Sequence, residues 1–254
     1  MMKQGLYGFS LAIQFLTRLP VPLYCPWNKQ TSRWALRSYP LVGGLLGSII
    51  TIIFLTLQPH LSMVMLTLLI ITLWVGLTGG LHLDGWMDTA DAIGSNAPLQ
   101  KKWEIMKDPH VGSFGIIALL FLLLWKTMFI YGLLHISYQL IYSFIFIFAF
   151  SRLGTVIFLL FLPTAKKEGL ASQWKTHVNR IDVFYAIIPV CVAFIFFQGF
   201  LFLIPAFLVF FLFYAVWVMR VFKGMNGDLL GTAIEGGELW GLMIVWIYFS
   251  FVMG

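Results

Sequence analysis

A chain of 254 residues that is 60% hydrophobic and only 10% charged cannot keep a soluble surface wet, so a soluble domain is excluded and an integral membrane protein is expected. Long apolar runs without alternating polar positions favour helices over an outer-membrane barrel. The net charge of +6 fits a basic membrane face or an anionic substrate and argues against nucleic acid as a partner.

In chain order, residues 5–19, "GLYGFSLAIQFLTRL", are too short to span comfortably before "PVP" and predict an interfacial helix, with a crossing left open. The stretch to Pro20 lacks a small-residue cleavage site, so no cleavable signal peptide is expected. Apolar runs predict seven membrane helices near 41–57, 61–81, 113–134, 137–162, 183–198, 200–219 and 239–253, with the 183–222 run broken near Gln198 and Gly199. Cys25 and Cys191 lie in unlike settings and predict unpaired thiols. No repeat or soluble segment stands out. Residues 1–254 read as a single all-α membrane domain, a polytopic helix bundle surrounded by lipid, with a homo-oligomer left open.

The cations fall in four segments. Lys3, Arg18, Lys29, Arg33 and Arg37 precede residue 41; Lys101, Lys102 and Lys107 lie in 82–112; Lys166, Lys167, Lys175 and Arg180 lie in 163–182; Arg220 and Lys223 lie in 220–238. Seven spans put all four on one side, and the opposite turns carry no Lys or Arg, so the positive-inside rule assigns the charged side to the cytoplasm.

The ten acids are also concentrated. Asp84, Asp88, Asp91, Glu104 and Asp108 fall in 84–108, and Asp228, Glu235 and Glu238 fall in 228–238, which leaves Glu168 and Asp182 elsewhere. In "GGLHLDGWMDTADAIGS", 79–95, the three aspartates are spaced i, i+4, i+7 and share one helical face, where they repel unless a cation neutralises them. Oxygen-only ligands point to magnesium or manganese, with a solvated loop face as the competing reading. His82 is a ligand, a base or a hydrogen-bonding group, and the hard oxygen site favours a non-ligand role.

"KKWEIMKDPHVGSFG", 101–115, offers Lys101, Lys102 and Lys107 to phosphates, while Glu104 and Asp108 either join the metal site or pair with the lysines. Gly112, Ser113 and Gly115 open the next helix, where free N–H groups favour an anion. "KGMNGDLLGTAIEGGE", 223–238, repeats glycines before Asp228, Glu235 and Glu238 and reads as a cytoplasmic loop, either part of the site or a turn with solvated acids. Lys126 and Arg152 lie within predicted spans, where they either snorkel or floor a polar cavity that draws in a phosphate. On the cavity reading, changing either to Met preserves stability and lowers turnover.

Taken together, "FLTRLPVP" (15–22), "YPLVGGLLG" (39–47), "GGLHLDGWMDTADAIGS", "KKWEIMKDPHVGSFG" and "NGDLLGTAIE" (226–235) resemble the cobalamin synthase family, adenosylcobinamide-GDP ribazoletransferase. The resemblance implies a multi-pass, magnesium-dependent transferase of the bacterial inner membrane. It would join adenosylcobinamide-GDP to α-ribazole or its 5′-phosphate and release GMP. On that reading Asp84, Asp88 and Asp91 hold Mg²⁺, and Asp228 or Asp91 serves as base. Lys107, Arg152 and Lys126 are phosphate-side candidates with Arg18 a weaker one, and His82, Glu104, Asp108, Asn226 and Glu235 complete the substrate-side set. The acidic block is also similar to that of CDP-alcohol phosphotransferases, but the "AR" of that motif is missing here, which makes phospholipid synthesis the runner-up. A transporter is a third reading, weakened by acids confined to one face and by the absence of an internal repeat.

Overall fold

The computed structural model describes residues 2–165 and 169–252, and no strand occurs among them. Lys166, Lys167 and Glu168 lie outside the described residues. Among the described residues eleven α-helices follow in order: α1 (Met2–Leu16), α2 (Lys29–Leu57), α3 (Met63–Thr78), α4 (Leu81–Gly94), α5 (Leu99–Ile105), α6 (Ser113–Ile136), α7 (Ser143–Phe161), α8 (Leu170–His177), α9 (Asp182–Phe196), α10 (Leu203–Val221) and α11 (Gly227–Ile247). Five segments are long and apolar enough to cross a membrane, and seven if α3–α4 and α8–α9 each count as one bent span. The expected polytopic bundle is therefore present. Cys25 and Cys191 are free.

Two element boundaries differ from expectation. Helix α2 starts at Lys29 rather than near 41, because Asn28 caps it: its Oδ1 accepts from the amides of Gln30 and Thr31, each at 3.0 Å. Pro40 is absorbed inside this helix. Arg33 and Arg37 sit on its first turns and both bind the fully buried Asp182 carboxylate at the start of α9, at 3.0 and 2.6 Å. Helix α11 starts at Gly227 rather than near 239, so the expected 220–238 loop is mostly helix. Hydropathy missed both extensions because polar residues that turn inward to partners look, in sequence, like loop.

The α9–α10 break falls at a 3₁₀ turn, Gln198–Phe200, where the sequence places it. At the end of α3, Gly79 and Gly80 adopt φ of +66° and +72°. Side chains disfavour that left-handed conformation. The two glycines turn the chain so that α4 leaves α3 at 90° and lies across one end of the bundle.

Helix α7 is the centre. In the most apolar 18 residues of Tyr138–Phe161 83% are buried, against 22% in those of Ser113–Ile136, so α6 turns its apolar surface to lipid while α7 does not. Close approach of α2 to α7 depends on small residues: a Cβ at Gly47 would lie 2.7 Å from the Phe144 carbonyl carbon and from Ile145 Cα. Gly47→Leu is expected to force the two helices apart and to cost roughly 1–3 kcal/mol. Thermal unfolding in detergent checks this; an unchanged midpoint would show the contact to be soft.

Candidate active site at one end of the bundle

Three long-range contacts bring the charged segments together. Arg33 meets Asp182; Ala165 N donates to Met225 O at 2.8 Å; and Gly85 packs on Asp228, while Asp91 ties the two ends of the 82–112 segment together at Gly112. All four segments thus share one end of the bundle.

Helix α4 is held against the start of α11 by small residues and hydroxyls. A Cβ at Gly85 would come within 2.7 Å of the Asp228 carbonyl oxygen, so only glycine allows this approach. The Thr232 hydroxyl lies 2.9 Å from the Gly85 carbonyl, 2.8 Å from the Asp228 carbonyl and 2.8 Å from the Thr89 hydroxyl. This docking brings Asp84 and Asp88 of α4 to Asp228. Asn226 fixes Asp228 in turn: its Nδ2 donates to Asp228 Oδ2 at 2.7 Å while its Oδ1 caps α11 at Leu229 N, 2.9 Å.

The aspartates carry uncompensated charge. Burial, then Asp84, Asp228 and Asp91, push the Asp88 carboxyl up to about 7. Among the described residues none of Asp84, Asp88 and Asp228 forms an ion pair. No three carboxylates or imidazoles among the described residues converge tightly enough to chelate a cation alone. That arrangement suits a cation that completes its shell with water and substrate phosphate, as magnesium does. The residues present fit such an ion.

Asp91 is placed differently from its two neighbours. Its Oδ2 accepts from Gly112 N and its Oδ1 from Gly115 N, each at 2.8 Å. The anion expected at the start of α6 is therefore the protein's own carboxylate. A Cβ at Gly115 would strike Met87 Cβ at 3.1 Å as well as the Asp91 carboxylate, which explains the glycine there.

Lys126 and Arg152 do not line an open phosphate cavity. Lys126 Nζ binds Glu235 Oε2 at 2.6 Å and Glu238 Oε2 at 2.7 Å, and Arg152 pairs with Glu238. All four are buried, Lys126 and Glu235 at 2% exposure and Arg152 and Glu238 at 0%. Trp74 Nε1 donates to Glu238 Oε2 at 3.0 Å, and its ring lies 4.4 Å from Lys126 Nζ. The acids expected in a solvated loop are thus partners for the span cations: two positive and two negative side chains neutralise one another inside the bundle. In sequence these four stay separate because the acids read as loop residues and the cations as residues of distant spans.

The remaining predicted residues are peripheral or line cavities. Glu104 pairs with Lys101 at 3.2 Å, and Asp108 with His110 at 2.7 Å, both exposed. The His110 amide and ring hold the Asp108 carboxyl below the usual carboxylate range. Arg18 lies exposed over Gly79, its amide bonded to Leu77 O at 2.7 Å. His82 is buried, and its Nδ1 has no hydrogen-bond partner among the described residues.

Two cavities flank Asp228. One, of about 330 Å³, is walled by Phe15, Tyr39 and Trp174 and reaches His82, Asp84 and Asp228. The other, of about 290 Å³, holds Lys107, Trp103, Asn226 and Asp228. Sequence reading passed over the aromatic wall, since Phe15, Tyr39 and Trp174 belong to three different helices and nothing in their spacing links them.

Fold and site together define a polytopic helical membrane protein with a carboxylate-rich, double-cavity site at one end of its bundle. Residues 8–246 match the family described as cobalamin-5-phosphate synthase, and the chain belongs to that family. It is 34% identical to the adenosylcobinamide-GDP ribazoletransferase of Halalkalibacterium halodurans, covering 98% of both chains. It is 35% identical to the protein of the same name from Acinetobacter baumannii (91% of this chain, 93% of that one) and 30% to the one from Clostridioides difficile (96% and 98%). No solved structure matches the chain. These relationships favour neither the CDP-alcohol phosphotransferase nor the transporter reading.

Proposed function

We propose that the protein joins adenosylcobinamide-GDP to α-ribazole or its 5′-phosphate, releasing GMP, with magnesium at the α4 aspartates on the cytoplasmic face of a bacterial inner membrane. The observation that carries this reading is Asp228 in the lining of both cavities, with Asp84 in one of them and Asp88 close by, none of the three having an ion-pair partner among the described residues. An acceptor hydroxyl oxygen attacks the phosphorus remote from guanosine, a new P–O bond forms, the P–O–P bridge breaks, and GMP leaves with the bridging oxygen. Asp228, facing both cavities, takes the hydroxyl proton. Asp84 and Asp88 would hold the metal, which when bound offsets charge on the phosphates. Asp91 keeps α4 and the start of α6 in register, and Lys107 neutralises the departing nucleotide.

Purified protein given the activated corrinoid and either acceptor should release GMP only with added magnesium. GMP release that persists in excess chelator would refute the metal assignment, and none under any condition would refute the transfer.

Sidedness has its own test. With Cys25 and Cys191 replaced by Ser, Glu104→Cys and Leu170→Cys should resist an impermeant thiol reagent in intact cells, while Ile136→Cys labels. The reverse pattern would place the site outside the cell.

A further inference from the structure

The two cavities at Asp228 have opposite chemistry. In the larger one, the Trp174 ring packs edge-to-face on Phe15 at 5.5 Å and on Tyr39 at 5.8 Å, which gives an aromatic wall built by α8, α1 and α2. Behind it the lining is mostly aliphatic, including Leu159 and Leu230, with His82 and Thr155 among it, and no Lys or Arg among the described residues lines it. Its carboxylates are Asp84 and Asp228. A diphosphate placed in this cavity would meet two carboxylates and largely apolar walls, with only the His82 ring and the Thr155 hydroxyl as further polar groups; a flat, neutral ring would meet aromatic side chains. The smaller cavity has Lys107, the Asn226 amide and the indole of Trp103, a lining suited to a charged nucleotide. Both cavities include Leu170, Ala171, Gly227 and Asp228, so occupants of the two approach each other at that shared wall.

We propose that the Phe15–Tyr39–Trp174 cavity is the subsite for a neutral bicyclic aromatic base carried by the acceptor, and that the Lys107 cavity takes the nucleotide half of the donor. This rests on the transfer reaction proposed above. The division seats the two reactants on opposite sides of Asp228 and makes Trp174 and Tyr39 determinants of acceptor specificity.

Inhibition of the unmodified protein tests the assignment without any variant. Free benzimidazole, the probe for the aromatic subsite, should compete with the acceptor and not with the donor, and GMP should compete with the donor. Leu230→Trp, which fills the aromatic cavity, should raise the acceptor KM about tenfold with the donor KM within about twofold, and Lys107→Ala should do the opposite. Benzimidazole competing with the donor, or Leu230→Trp shifting the donor KM or neither KM, would overturn the assignment. Failure of the unmodified protein to release GMP would overturn the transfer reading itself, a distinct result.

Discussion

Asp84→Asn and Asp88→Asn are each expected to lower turnover at least about 100-fold while leaving thermal unfolding of the metal-free protein unchanged or slightly later. Both side chains face other carboxylates without an ion-pair partner among the described residues, so removing one charge relieves repulsion. The same change removes an oxygen anion where the proposed metal needs one. Asp91→Asn should behave differently. Its two oxygens accept from Gly112 N and Gly115 N, and an amide would turn an N–H₂ toward one of those donors. A loss of about 1–2 kcal/mol is expected, together with reduced activity, because the α6 start loses its capping charge. The check is a magnesium titration of turnover beside unfolding with and without metal. Near-normal turnover of Asp84→Asn and Asp88→Asn at limiting magnesium would dismiss the metal site; equal destabilisation of all three variants would point to a structural role for the whole block.

Lys126→Met is expected to destabilise the protein by roughly 3–5 kcal/mol, because it strands the buried Glu235 carboxylate and takes one cationic partner from the buried Glu238. This reverses the outcome that sequence alone suggests, in which the cation sits free in a cavity and its loss is harmless to folding. The double variant Lys126→Met/Glu235→Leu should recover most of the loss, since Arg152 and Trp74 still satisfy Glu238. Unfolding in detergent or bicelles, measured as a double-mutant cycle, gives the coupling directly. Additive effects would show that Lys126 and Glu235 do not depend on one another. The network spans α3, α6, α7 and α11, so its loss should also loosen the start of α11, where Asp228 stands.

The sequence by itself determined much of this protein. Hydropathy located the spans and the Gln198 break, because a lipid-facing or buried helix must be apolar along its length. Charge asymmetry predicted that four segments share one end, and spacing placed Asp84, Asp88 and Asp91 on one helix. Motifs sufficed for the family, since the acidic block and the glycine-rich stretches lie in short contiguous runs. What only the tertiary structure decided was which side chain answers which. Asp91 belongs to the amides at Gly112 and Gly115, Asp182 to Arg33 and Arg37, and Glu235 and Glu238 to Lys126 and Arg152. The aromatic cavity is a fourth case, drawing its wall from three helices. The physical reason is common to all four. Local periodicity encodes whether a residue can be buried, but a buried charge or ring takes its partner from whichever helix packs against it, and glycine contacts such as Gly47 on α7 and Gly85 on Asp228 set that packing at distances in sequence that no local pattern records.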